Sequence, residues 1–360
     1  MSAATVRLAF VGDIMLGRRI DRQLSTTAPE AFWGDLLPVL RAADAVVGNL
    51  ECPITEYRRP WRRTPKAFRF RARPEAAAVL ATANLRLVNL ANNHILDYRE
   101  QGLFDTVSCL QRAGIASAGA GANAYEAARP ALVSLDGATV GLIGLTDNMP
   151  EWRAGHDTAG TNYVSIRSDG ATLNLLRAMI REARWAGADI VVVSCHWGPN
   201  LRPFPPRRFR RFARHAVELG ADVFHGHSAH LFQGVELHRG GLILYDTGDV
   251  LDDFWVFPGI RIDQSFVFEA EFADRRLSRL AMRPLVQART SVGLAEGAAF
   301  EAICRRMERR SRALGTVLNR SPEGLELLPA SDAPGVAREV PFAAGPASGG
   351  TLACLLGNAG

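Results

Sequence analysis

Val6-Arg7-Leu8-Ala9-Phe10-Val11-Gly12-Asp13 is the stretch that decides the fold. Residues 6–11 make a short, mostly apolar run, the mark of a buried strand. A glycine and a carboxylate follow at its carboxyl end. In four more places a polar cluster that offers a metal ligand follows a strand-like segment: Gly48-Asn49-Leu50-Glu51 after 45–47, Asn92-Asn93-His94 after 87–90, His196 after 190–194, and His225-Gly226-His227-Ser228-Ala229-His230 after 221–224. A parallel sheet delivers the carboxyl ends of its strands to one rim, where α/β folds bind ligands. Asp, Glu, Asn and His converging on such a rim suit one or two divalent cations of the Zn, Mn or Fe type.

The intervening sequence alternates helix and strand. Residues 20–25 and 33–43 read as helices, the second with Leu36, Leu37, Leu40 and Ala43 on one face. Strands are predicted over 44–49 and 85–90. Further helices are predicted over 74–83, opened by Pro74, and over 101–113, 171–186 and 206–219, stopped by Gly114, Gly187 and Gly220. Three hairpins are expected: 131–135 with 139–145 through Asp136-Gly137, 232–237 with 242–246, and 264–272 with 277–282. Strand–helix alternation interrupted by hairpins predicts an α/β fold with mixed pairing. Two sheets should pack face to face with helices outside.

The 360 residues are enough for one large α/β domain or two small ones. With 48% hydrophobic and 22% charged residues, the composition is that of a globular protein. No run of about 18 apolar residues predicts a membrane span. The amino terminus lacks a charged segment followed by an apolar one, so a cytoplasmic location is expected. The cysteines at 52, 109, 195, 304 and 354 are scattered and without a CxxC pair, which fits reduced thiols. The formal net charge is +5, and Lys66 is the only lysine. Two basic stretches stand out. One is 58–73, with Trp61, Phe68 and Phe70 interleaved; the other is 202–214, with six arginines. Both read first as solvated faces, and either could attract an anionic small molecule or polymer. Nucleic acid is disfavoured because no reader motif accompanies the charge.

Asn49 and Glu51, two apart, can reach one point if the strand continues. Asn92-Asn93-His94 is poorly explained by packing: an amide oxygen can ligate a metal, and a nearby imidazole can act as general acid. Asp97 is placed to orient His94 and fix its tautomer. His196, His227 and His230 follow strands that short crossovers would make neighbours. His225, inside the strand end, is expected to point the other way. Cys195 is expected to be a buried structural thiol, turned from His196 by alternation. There is no G-x-S-x-G, and Gly119-Ala120-Gly121-Ala122-Asn123 lacks the Lys-Ser/Thr of a phosphate loop.

Gly12-Asp13-Ile14-Met15-Leu16-Gly17-Arg18, Gly48-Asn49-Leu50-Glu51, Asn92-Asn93-His94-Ile95-Leu96-Asp97-Tyr98, Cys195-His196-Trp197-Gly198 and Gly226-His227-Ser228-Ala229-His230 together resemble the CapA family, named for poly-γ-glutamate capsule synthesis. Tyr245-Asp246-Thr247-Gly248-Asp249 is similar to its Tyr-Ser-Leu-Gly-Asn stretch. The resemblance covers 5–290 and places the chain near the calcineurin-like metallophosphoesterases. It implies a two-sheet sandwich flanked by helices, in four α/β/β/α layers, with a dinuclear site for divalent ions such as Mn, Zn, Fe or Mg. Carried over residue by residue, Asp13, Glu51, Asn93, His196, His227 and His230 would be metal ligands. His94, supported by Asp97, would be the catalytic acid, and Arg18, Asn92 and Trp197 would face substrate. Met15 stands where the broader superfamily has a histidine, and Ser228 and Ala229 stand where the family usually has His and Pro. Residues 291–330 are expected as a helical extension containing a helix over 296–314. Residues 331–360, rich in Gly, Ala and Pro, are expected as a disordered tail. Two readings follow: a metal-dependent hydrolase or phosphoesterase, or a non-catalytic factor holding an anionic polymer such as poly-γ-glutamate on the 58–73 loop. A nucleic-acid phosphoesterase is a distant third.

Overall fold

In the computed structural model, which describes residues 5–253 and 259–329, two mixed sheets pack face to face. The first runs Asn319–Ser321, Gly324–Leu327, Arg276–Gln287, Gln264–Ala273, Thr5–Ile14, Ala45–Leu50, Leu85–Asn89, Ala116–Ala118. Its last four strands are parallel, and Asp249–Leu251 also pairs in parallel with Thr5–Ile14. The second runs Val235–His238, Gly241–Leu244, Val223–His227, Ile190–His196, Ala138–Thr146, Ala131–Leu135, with a parallel centre and hairpins at its edges.

Alternation along these strands builds the layers. Leu8, Phe10, Val47 and Leu87 of the first sheet meet Leu142, Val192, Val223 and Leu242 of the second in one buried cluster. Their neighbours Ala9, Val11, Val46 and Val88 face outward onto Leu40, Leu80, Leu103 and Leu110 of the helices Leu37–Ala42, Ala76–Thr82 and Arg99–Arg112 and their junctions. Val191, Val193 and Phe224 face Leu176, Met179 and Phe212 of Gly170–Trp185 and Arg207–Glu218. The central strands are therefore apolar on both faces, as parallel strands covered by helices must be. Asp169 caps one helix by accepting the Thr172 N–H at 2.9 Å. Gly114, Gly187 and Gly220 follow helix ends at positive φ, the role expected of them.

Two expectations change in detail. Residues 33–43 are a 3-10 turn, Gly34–Leu36, running into a short helix, Leu37–Ala42, because Gly34 takes φ +50 and Pro38 sits in the first helical turn. The segment after 290 is more than a helical extension. Besides the helix Gly297–Arg312, it contributes the strands Val292–Leu294, Asn319–Ser321 and Gly324–Leu327, all joined to the first sheet. The helix also clasps the second sheet: Ser311 Oγ accepts the Val235 N–H at 3.1 Å, and the Arg310 guanidinium lies 4.5 Å from the Phe232 ring. The expected tail, 331–360, lies outside the described residues. Among the described residues, no helix is long and apolar enough to cross a membrane.

One irregularity decides what the sandwich holds. Leu8 pairs with Ala45 and Phe10 with Val47, but Asp13 pairs with Asn49. Thr5–Ile14 therefore spends one extra residue between Phe10 and Asp13, a bulge that reverses which face comes next. Unbroken alternation would send Asp13 outward with Ala9 and Val11; the bulge turns it between the sheets. Gly12 makes the turn feasible. A Cβ there would lie 1.7 Å from the Gly248 carbonyl oxygen, and the Asp13 N–H donates to that same oxygen at 2.9 Å. Gly12→Ala is expected to destabilise the protein by roughly 3 kcal/mol, since backbone must move on both sides. Gly170→Ala, at a helix start with no atom within 4 Å of the added carbon, should stay within about 1 kcal/mol of the native protein. Urea midpoints of the two variants check the contrast.

Candidate metal centre

The carboxyl ends of five strands meet at one rim. His196 and His227 close adjacent parallel strands and sit in register with each other. Their Nδ1 atoms are 3.1 Å apart, and each faces Asp13 Oδ1, at 3.5 Å from His196 and 3.3 Å from His227. His230, in the following turn, reaches Asp249 Oδ1 at 2.9 Å and Asp13 Oδ2 at 3.9 Å. Two groups result, Asp13–His196–His227 and Asp13–Glu51–His230–Asp249, with the offered ligand atoms of each group within 4.8 Å of one another. Asp13 belongs to both and offers one oxygen to each side.

The donor set fits divalent cations. Among the described residues, Glu51 Oε2 and Asn93 Oδ1 are buried without a hydrogen-bond partner, and Asp13, Glu51 and Asp249 crowd together out of water. Burying unpaired carboxylates is costly unless a proton or a cation neutralises them. Burial, and then the neighbouring Asp13 charge, holds the Glu51 carboxyl well above its usual range; burial and Asp252 do the same to Asp249. Burial also opposes ionisation of Asp13, but His196 and His227 outweigh it and keep that carboxyl well below its usual range. Burial pushes His227 down to about 4, which leaves it neutral, the form that ligates.

His225, expected to point away, lies on the same face as His227, because residues two apart on a strand share a face. Its Nε2 is 3.1 Å from the Val11 carbonyl oxygen, and Ser194 Oγ sits 3.1 Å from its Nδ1 and 3.0 Å from His227 Nε2. His225 thus backs His227 through Ser194. Cys195 packs on the outer face, as expected.

A second polar group borders the first. His94 Nδ1 is 2.6 Å from Asp97 Oδ2, and its Nε2 is 3.9 Å from Glu51 Oε1. The Phe70 ring lies 4.1 Å from the imidazole, and the Phe70 N–H donates to Asp97 Oδ2 at 2.7 Å. Lys66, the sole lysine, is buried against Asp97 Oδ1 at 2.6 Å, donates to the Asn93 carbonyl and lies 4.6 Å from the Trp152 ring. The 53–74 loop is closed at its base, where the Thr55 N–H donates to the Ala72 carbonyl and the Ala72 N–H to the Pro53 carbonyl, and is tied down further along by Lys66. Burial drives His94 to about 4, Asp97 opposing.

Three residues were expected to face substrate, and two do not. Trp197 lies on the outer face among Phe209, Phe212 and Phe224, its indole N–H donating to the Tyr245 carbonyl at 3.0 Å; strand alternation carries it away from His196. Asn92 is fully buried and spent within the fold: it accepts from the His94 and Ile95 N–H groups and donates to the Leu50 carbonyl and the Asn49 side chain. Arg18 is half-buried, paired with Asp253 at 2.7 Å and 5.2 Å from the Phe70 ring, with its backbone at φ +54. Met15 is buried in the outer cluster, so the position that differs from the broader superfamily does not reach the centre. Asp249 and Lys66 were not singled out by residue-level reading. Asp249 lay inside a recognised segment but reaches the centre only through its parallel pairing with Asp13. Lys66 was hidden in a run of arginines.

Residues 7–254 match the family described as bacterial capsule synthesis protein PGA_cap. The PGA biosynthesis protein CapA of Bacillus subtilis is 31% identical over 69% of this chain and 63% of its own length. A Mycobacterium tuberculosis protein named as a probable polyglutamine synthesis accessory protein is 34% identical over 89% of this chain and 87% of its own. The capsule biosynthesis protein CapA of Bacillus anthracis is 28% identical over 77% of this chain and 66% of its own. The chain thus spans just under two thirds of the length of the Bacillus relatives. Its matched span runs from the first strand through the Asp249 segment and takes in every residue of the rim, and the chain belongs to the bacterial capsule synthesis protein PGA_cap family.

Proposed function

We propose that the chain is a metal-dependent hydrolase acting on an anionic polymer of the poly-γ-glutamate type, with two divalent cations held on either side of Asp13. The observation that carries this reading is the sharing of Asp13 by two ligand groups. The Bacillus subtilis relative is named for PGA biosynthesis and the Mycobacterium tuberculosis relative for polyglutamine synthesis, which supports a polymer of this kind. Cations bound there would lower the pKa of a water molecule and stabilise negative charge on a phosphoryl or amide oxygen. The chain's own residues supply the rest. Asp97 accepts the His94 Nδ1 proton and leaves Nε2 facing the Glu51 side, where a proton can pass to or from a reacting group. Phe70 and Lys66 seal that imidazole from water. Arg58, Arg59 and Arg62 remain exposed on the loop that Lys66 and Phe70 anchor, beside Phe68 at 63% exposure, and give the entrance a positive rim with an apolar platform.

Metal analysis tests the centre. Elemental analysis after loading with Mn²⁺ or Zn²⁺ should find two equivalents; His227→Ala should lose one, and Asp13→Ala both. An Asp13→Ala protein that keeps full stoichiometry rejects a shared carboxylate. In a screen of phosphodiester and γ-glutamyl substrates, His94→Ala should lower turnover by about 10²–10⁴-fold. Retained polymer binding with no turnover on any substrate would leave the assembly role instead.

Neutralising Arg58, Arg59 and Arg62 together should weaken polyglutamate binding and flatten its salt dependence while leaving metal content unchanged. Equal binding by the triple variant removes the loop from the proposal.

The raised carboxyls predict a pH signature. Burial, and then Asp13, pushes the Asp246 carboxyl from 3.8 up to about 8. A folded-state pKa raised this way gives stability that is present at low pH and is lost as pH rises through about 8. His94 and His227, with values near 4 against an ordinary 6.5, are neutral in both states above 6.5 and do not contribute there. Chelator-treated protein should therefore lose stability between pH 6.5 and 8, and saturating Mn²⁺ should abolish that slope, since a cation replaces the protons. Thermal melts across the range measure both.

A further inference from the structure

An amide presents similar shapes at its two ends, so its neighbours decide which end faces where. Asn49, Asn89 and Asn92 are all fully buried, and both Asn89 and Asn92 touch Asn49. Asn92 Oδ1 lies 3.0 Å from the backbone N–H groups of both His94 and Ile95, which only donate. Its Nδ2 is then the end that meets the Leu50 carbonyl at 2.8 Å and Asn49 at 3.1 Å. Asn89 is fixed likewise: Oδ1 takes the Ala91 N–H at 3.1 Å, and Nδ2 meets the Ala91 carbonyl at 2.9 Å and Asn49 at 3.0 Å. Two donors thus arrive at one atom of Asn49, which must be its oxygen. The remaining end, Nδ2, lies 2.7 Å from Asp13 Oδ1 and 3.3 Å from His196 Nδ1.

We infer that Asn49 is a positioning residue, locked by Asn89 and Asn92 so that its N–H pair faces the centre, where one N–H fixes the Asp13 oxygen shared with His196 and His227. Asn49 therefore stands among the ligands without being one. Its neighbours offer lone pairs; it offers hydrogens. The same Nδ2 lies 3.3 Å from His196 Nδ1. The ladder begins at backbone N–H groups of residues 91, 94 and 95 and ends by setting the rotamer of the carboxylate both ligand groups share. This inference rests on the two-cation reading for its purpose, but the orientation of the amide does not depend on it.

Two substitutions separate the possibilities. Asn49→Asp keeps the shape and replaces the inward N–H pair with an oxygen 2.7 Å from Asp13 Oδ1, whereas Asn49→Ala removes the group. In chelator-treated protein, Asn49→Asp should have the lower urea midpoint of the two, because it opposes two carboxylates. If Asn49→Asp is the more stable variant, the oxygen faces the centre and the inference is overturned, whether or not any metal binds. With Mn²⁺ titrated calorimetrically, Asn49→Ala should bind about 10–100-fold more weakly than the native protein. Asn49→Asp should gain a larger Mn²⁺-induced rise in midpoint than the native protein, because the cation relieves the repulsion. A purely structural asparagine would lower both midpoints and leave the Mn²⁺-induced rise unchanged, and that result also overturns the inference. Native protein that takes up no Mn²⁺ fails the cation reading alone, and the metal-free comparison still decides the orientation.

Discussion

One extra residue between Phe10 and Asp13 sets the character of the molecule. Without it, the first strand would carry its carboxylate to the helix-covered side, where Ala9 and Val11 pack against leucines. With it, the charge enters the gap between two sheets whose facing surfaces are otherwise aliphatic and aromatic. A carboxylate in that setting demands partners. The strand ends of both sheets supply them, with Asn49 from the first and His196 and His227 from the second. The bulge in turn depends on Gly12, pressed against the Gly248 carbonyl, so the last strand to join at this edge, Asp249–Leu251, is held by the same contact that admits Asp13.

The rim shows a division of labour by depth. At the bottom, groups with fixed hydrogen-bonding sense hold others still: Asn89 and Asn92 fix Asn49, and His225 and Ser194 back His227. Above them lie the carboxyls that burial holds above their usual range, Glu51 and Asp249. Beyond these stand Arg18 on Phe70, His94 beneath the same ring, and the arginine-rich loop. Positive charge therefore increases from these buried groups toward solvent, an arrangement suited to drawing in an anion.

Much of this was legible in the sequence because it is local. Apolar runs marked the central strands, glycines marked three helix ends, and polar residues immediately after strands marked the rim; Asp13, Glu51, His196, His227 and His230 do converge. What escaped depends on contacts far apart in sequence or on parity. Trp197 and His225 were misjudged because a single strand step decides the face. Asn92 looked chemical but serves backbone donors two and three residues on, a local competition that composition does not reveal. Asp249 needed its pairing with the first strand. The strands after residue 290 are three or four residues long, too short to show periodicity.

Lys66 has a practical corollary. The chain carries a single ε-amine, and that amine lies beneath Trp152 and against Asp97. Amine-selective acylating reagents therefore meet one ε-amine in the chain, and it is engaged while the 53–74 segment keeps these contacts. Their rate of incorporation at residue 66 is a clock for its opening, built into the molecule by the near-complete use of arginine everywhere else.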